Sequence, residues 1–206
     1  MPALVEILVA PLRYPFMVRG MAAAVLVGLV CALMGTYMVL RGMAFLGDAL
    51  AHSILPGIAI GYIVSNGGRG PIFWWGLGTG VLTALGIGAL GKGAQVKQDT
   101  AIGIIFSGMF ALGIALISTM RSYAVDLSHF LLGDVLGVSI TDLWLTAGLA
   151  VLVFVTVFVF YKEFLVLSFD PTLTETLRFP SGFLHYLLLV LIALTIVVAL
   201  QTVGIA

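Results

Sequence analysis

The chain has 206 residues, of which 62% are hydrophobic and only 9% charged, and its nine Lys and Arg balance its nine Asp and Glu. Soluble domains run at about 45–50% apolar and about 25% charged, so a soluble globule could not hide this much apolar surface. The even charge balance, without a basic cluster, argues against nucleic-acid binding. Cys31 is the single cysteine and excludes a disulfide scaffold. With a mean hydropathy of +1.23, the chain reads as an integral membrane protein.

Residues Met1–Arg19 are interrupted by Glu6, Pro11 and Pro15 and carry no convincing small-residue cleavage site, so they are not expected to be a cleaved secretory signal. They are expected to lie at the membrane interface, with Arg13 and Arg19 at headgroup level. A helix needs about 20 apolar residues to cross the hydrocarbon. Gly20–Leu40, Gly70–Gly91 and Thr100–Met120 meet this without a charge. Phe45–Val64 meets it apart from Asp48 and His52, as do Leu143–Tyr161 and Phe179–Ala206, the last with His185 near its start. None of these runs alternates in polarity as a barrel strand would. The expected fold is all-α, a polytopic transmembrane helical bundle of about six spans, forming one domain over residues 1–206.

Glycine supplies 25 residues, well above the usual share of about 7%. Gly57/Gly61, Gly76/Gly80 and Ala84/Gly88 stand four apart, the spacing that lets membrane helices approach closely. The basic residues decide orientation only weakly. Arg41, Lys92, Lys97, Lys162 and Arg178 fall on one side, and Arg13, Arg19, Arg69 and Arg121 on the other.

The chemistry concentrates in Gly47-Asp48-Ala49-Leu50-Ala51-His52-Ser53. Asp48 and His52 are one helical turn apart and share a face. Ionisable groups within a span are costly and default to a pathway or cavity. A carboxylate and an imidazole on one face supply two ligands to a divalent transition ion, Mn, Zn or Fe. The same pair also serves as a hydrogen bond that ties two helices together. Pro56-Gly57, one turn on, predicts a kink, because proline frees a backbone carbonyl.

Two longer interruptions follow. Arg121–Asp142 holds a short apolar stretch that is read as a half-helix, flanked by His129 and Asp134 as candidate transient ligands or solvated loop residues. Lys162–Pro180 reads as a polar loop enclosing a short helix. Asp170 caps it, Pro171 occupies its first position, Glu175 lies in its early part and Pro180 stops it. Phe169, Leu173 and Leu177 form an apolar edge suited to the membrane surface or to a groove of a soluble partner. No G-x-S-x-G, H-E-x-x-H or P-loop motif occurs, so any energy source for transport is an ion gradient or a separate subunit.

Together these segments resemble the ABC-3 family of bacterial metal-importer permeases, the membrane subunits of zinc, manganese and iron ABC uptake systems. The resemblance rests on Val39–His52 and Leu55-Pro56-Gly57, on Asp99–Ile104, on Phe169-Asp170-Pro171, and on Ala199-Leu200-Gln201-Thr202-Val203-Gly204. It implies a multi-pass permease of the bacterial cytoplasmic membrane that pairs with a second copy, binds cytoplasmic ABC ATPases and receives metal from an extracytoplasmic binding protein. ATP hydrolysis would then reside on the ATPase and not on this chain, and the metal would be cargo rather than a permanent cofactor. By the same resemblance Asp48 and His52 match metal-pathway positions. Residues 162–180 match the cytoplasmic loop whose helix, with Asp170, Pro171, Leu173, Glu175 and Leu177, docks on the ATPase. Residues 121–142, with His129 and Asp134, fall at the outer mouth. Arg178 departs from a glycine in the family pattern. That pattern also continues for two further spans, implying a chain truncated relative to the family.

Two other classes stay open from the residues alone. One is a gradient-driven cation carrier or channel with Asp48 and His52 as its relay. The other is an intramembrane metalloenzyme, which needs a third protein ligand and an open water position.

Overall fold

The computed structural model describes residues 14–65, 69–93, 96–119 and 138–203. Nine helices lie among the described residues: α1 Pro15–Leu40, α2 Leu46–Ser53, α3 Leu55–Ser65, α4 Arg69–Gly93, α5 Gln98–Ser118, α6 Ile140–Val159, α7 Tyr161–Phe169, α8 Pro171–Thr176 and α9 Ser181–Val203. Six segments are long and apolar enough to span a bilayer, with α2 and α3 together making one of them. Helices close every backbone hydrogen bond within the segment, which hydrocarbon requires. The bundle expected from the sequence is the one observed.

Three differences from the expected boundaries have local causes. First, α1 starts at Pro15, so Pro15–Arg19 continue the first span instead of lying apart at the interface. Proline is pre-shaped for the first helical position and loses no bond there. Residues 1–13 lie outside the described residues, as do His129 and Asp134. Second, Ile140–Asp142 belong to α6, where Ser139 and Asp142 form a reciprocal capping box. Third, the first half of the expected polar loop 162–180 is helical. α7 buries Phe164, Leu167 and Ser168, so its apolar side belongs to the core.

α9 lies at the centre of the bundle, in contact with α1, α2, α4 and α6, and it touches α7 and α8 near its start. Its Leu184, Leu188, Leu191 and Ile192 are fully buried. α2–α3 packs between α4 and α5. Close approach of α3 and α4 depends on absent side chains: a Cβ at Gly57 would collide with the Thr79 side chain, and one at Gly61 would meet Ile72 Cα at 2.9 Å. α1, α5 and α6 are peripheral and turn many large apolar side chains outward.

Successive spans reverse direction and sort the connections into two ends. At one end, Gln98 Nε2 donates to Met43 Sδ at 2.8 Å and Lys92 Nζ sits 5.7 Å from the centroid of the Tyr186 ring. α7 and α8 belong to this end. At the other end, Gln201 Nε2 donates to Asp142 Oδ1 at 3.2 Å and ties α9 to α6.

Candidate functional site

α1 ends at a tight turn: Met43 N donates to Met38 O at 2.8 Å across Gly42, whose φ is +66°. This is the bonding of a Schellman cap with Gly42 in the left-handed position. The turn launches α2, which buries Leu46, Ala49, Leu50 and Ser53. The opposite side of α2 carries Asp48 in the first turn and His52 in the last.

His52 Nε2 lies 3.5 Å from Asp48 Oδ1, and their side chains are 31% and 60% exposed. Donors about 2.1 Å from one ion in adjacent coordination positions lie roughly 3.0–3.4 Å apart. The pair therefore stands within a few tenths of an ångström of a two-donor bite. No group of three or more His, Cys, Asp or Glu converges among the described residues. One copy of the described chain thus offers two such donors here and leaves their outward side open.

Aromatic rings close the other flank. Phe110 meets His52 edge to face at 5.7 Å, Phe106 meets it tilted at 6.2 Å, and the two phenylalanines stack at 5.7 Å. Phe45 packs edge-on against Phe106 at 5.8 Å. This wall restricts the imidazole and contributes no donor of its own. Sequence reasoning missed it, although Phe106 and Phe110 repeat on α5 the four-residue step of Asp48 and His52.

Beyond His52 the helix breaks at Ile54. In an unbroken helix the N–H of residue 56 would bond to the carbonyl of residue 52, and Pro56 has no N–H to give. The helix is interrupted at Ile54, between His52 and the proline that cannot donate to its carbonyl. Thr79 and Trp75 of α4 and Gly113 of α5 pack against the Pro56–Gly57 corner.

The second cluster is α8. Asp170 Oδ1 accepts from Leu173 N at 3.1 Å, as a helix cap does, and Pro171 occupies the first position. Phe169, Leu173 and Leu177 are 68%, 44% and 50% exposed, so the apolar edge is uncovered among the described residues. Phe179 N donates to Thr174 O at 3.1 Å, closing a second Schellman-type cap with Arg178 in the left-handed position at φ +58°. Asp48 and His52 are thus brought together, α8 stands apart from them, and Glu175 falls within α8.

The profile of the ABC 3 transport family matches residues 13–206. The chain belongs to the ABC 3 transport family. Relatives include the manganese transport system membrane protein MntC of Halalkalibacterium halodurans, 46% identical over 94% of this chain and 65% of that protein. A second is the chelated iron transport system membrane protein YfeD of Yersinia pestis, 40% identical over 100% of this chain and 67% of that protein. The chain spans about two thirds of the length of these ABC 3 relatives. Among solved structures, PsaBC from Streptococcus pneumoniae in complex with Fab superposes with a TM-score of 0.79 at 36% identity, over 98% of this chain and 71% of that one. The resemblance read from the motifs is therefore a family membership, and the six-span helical architecture is that of a multi-pass membrane protein.

Proposed function

We propose that this chain is the membrane permease subunit of an ATP-binding-cassette importer that carries a divalent transition metal ion into the cytoplasm. The observation that carries this reading is the Asp48–His52 pair, two donors 3.5 Å apart on the open face of a membrane-spanning segment. An oxygen and an imidazole nitrogen accept Mn, Fe or Zn. The names of the relatives point to manganese or iron. The ion is cargo, so a site with few donors and an open side suits capture and release better than a closed cage.

With two donors from one copy, the remaining positions fall to water or to a second copy of the chain facing the same side. α8, with its uncovered Phe169–Leu173–Leu177 edge, is the surface on which a cytoplasmic ATPase would dock. An extracytoplasmic binding protein would deliver metal at the opposite end. The break at Ile54, directly after His52, supplies a hinge through which movement of the bundle changes access to the pair.

The test is cellular Mn, Zn and Fe in a bacterium lacking its metal importers and supplied with the permease, its ATPase and its binding protein. One metal is expected to rise with the native permease and not with Asp48→Ala or His52→Ala at matched membrane levels. Equal accumulation in the variants reduces the pair to a structural hydrogen bond. Accumulation that persists without the ATPase instead supports a gradient-driven carrier.

A further inference from the structure

The chain has three tryptophans, Trp74, Trp75 and Trp144, and all lie at the end of the bundle opposite α8. Each is exposed and falls within the first two turns of its helix, α4 for Trp74 and Trp75 and α6 for Trp144. Tyr14, exposed at the cap of α1, stands at the same end. Indole and phenol rings join an apolar body to a polar tip, and they collect where hydrocarbon gives way to headgroups. α4 packs mainly on α3, α5 and α9, and α6 on α1 and α9, so the rings share a level without sharing a patch. That arrangement fits a lipid boundary. A protein partner would draw the rings together on one face.

The other boundary is marked on the same two helices. Lys92 follows Trp75 by seventeen residues along α4, and the exposed Tyr161 follows Trp144 by seventeen residues at the end of α6. At the rise of a helix, each interval comes to about 26 Å. The hydrocarbon core is about 30 Å thick, and a lysine stem reaches out to its edge. Each of these helices thus carries its boundary residues one membrane thickness apart.

Helix contacts carry this scale to the ion pair. A Cβ at Gly61 would stand 3.0 Å from Trp75 Cβ, and one at Gly80 would stand 3.3 Å from Ile54 Cγ2. His52 lies nine residues before Gly61 in the same spanning segment and two before Ile54. Both routes put His52 about 10–13 Å below Trp75. From the opposite boundary, Phe106 and Phe110 flank His52 and follow Lys97 by nine and thirteen residues, about 13–20 Å along α5.

We propose that Trp74, Trp75 and Trp144 rest in the lipid headgroup boundary at the end opposite α8, and that His52 consequently lies near the bilayer midplane. Asp48, one turn earlier in α2, lies closer to the α8 end. An ionisable pair costs most at that depth, so the face that carries it meets protein or water and not lipid tails. An ion entering from the tryptophan end travels about 10–13 Å below the headgroup boundary before it meets His52. The placement rests on helix register and does not depend on what the pair binds.

The test is tryptophan fluorescence of the full chain in phosphatidylcholine bilayers brominated either high on the acyl chain, near the headgroup, or low, near its end. The native chain should lose more emission to the high bromines than to the low ones. Quenching by neither, equal quenching by both, or stronger quenching by the low bromines overturns the boundary assignment and needs no variant. Leu82 is exposed and stands two residues beyond Gly80 on α4, level with His52. In Trp74→Phe/Trp75→Phe/Trp144→Phe/Leu82→Trp the order should reverse, and an unreversed order overturns the midplane placement. A nitroxide at Leu82→Cys, in a Cys31→Ala chain that keeps every tryptophan, reads the same depth if the quadruple variant does not fold. Its signal should broaden more with oxygen than with a water-soluble nickel chelate, and the opposite result overturns the placement.

Discussion

His52 Nε2 stands 3.5 Å from Asp48 Oδ1 one turn before it, and Pro56, one turn after, withholds the N–H that the His52 carbonyl would otherwise accept. The Asp48–His52 pair and the helix break are thus consecutive turns of one element. The buried Leu46–Ala49–Leu50 side anchors α2 on the face opposite the pair.

Pro56→Ala restores the missing donor and favours a continuous α2–α3. The variant is expected to fold, to bind metal as the native chain does, and to transport more slowly. Paired measurements of metal binding to purified protein and uptake by cells check this. Equal uptake would show that the break serves packing alone.

The aromatic wall predicts a graded effect. Removing the ring at Phe110 forfeits an aromatic contact worth about 0.5–1.5 kcal/mol, so Phe110→Ala should weaken metal binding by roughly two- to tenfold. Phe110→Tyr should retain most of the affinity, since its ring occupies the same flank. Titration calorimetry with Mn compares the three proteins.

Arg178 and Gly42 occupy the same left-handed cap position on different helices, at φ +58° and +66°. The conformation costs a non-glycine residue about 1 kcal/mol. Arg178→Gly should therefore stabilise the α8 region by about that amount, and Gly42→Ala should destabilise the α1–α2 turn similarly. Protease resistance of the loop and thermal unfolding in detergent report the two effects.

Glycine substitutions should separate by contact. A Cβ at Gly113 would lie 2.7 Å from Leu55 Cβ, whereas one at Gly78 meets nothing within 4 Å. Gly113→Ala is expected to destabilise by about 1–3 kcal/mol through overpacking, and Gly78→Ala to be neutral or slightly stabilising. Thermal unfolding of both variants in one detergent provides the comparison.

The uncovered edge of α8 predicts a partner effect. Leu173→Asp places a charge on that edge and should abolish co-purification with the cytoplasmic ATPase while leaving the bundle folded, because Leu173 is exposed. Retained ATPase binding with unchanged uptake would argue against docking at α8.

Hydrophobic run length determined the six spans, because only helices satisfy their backbone in hydrocarbon. Four-residue spacing placed Asp48 and His52 on one face, and the Asp170-Pro171 pair marked the start of α8, because both are local properties of a helix. Tertiary structure decided that Phe106 and Phe110 flank His52 and that Gly57 and Gly113 sit at crossings. In a chain this apolar, helices are hydrophobic on nearly every side, so the residue pattern does not say which face meets which neighbour. That choice belongs to the fit of small and large side chains between helices, a relation between residues far apart in the chain.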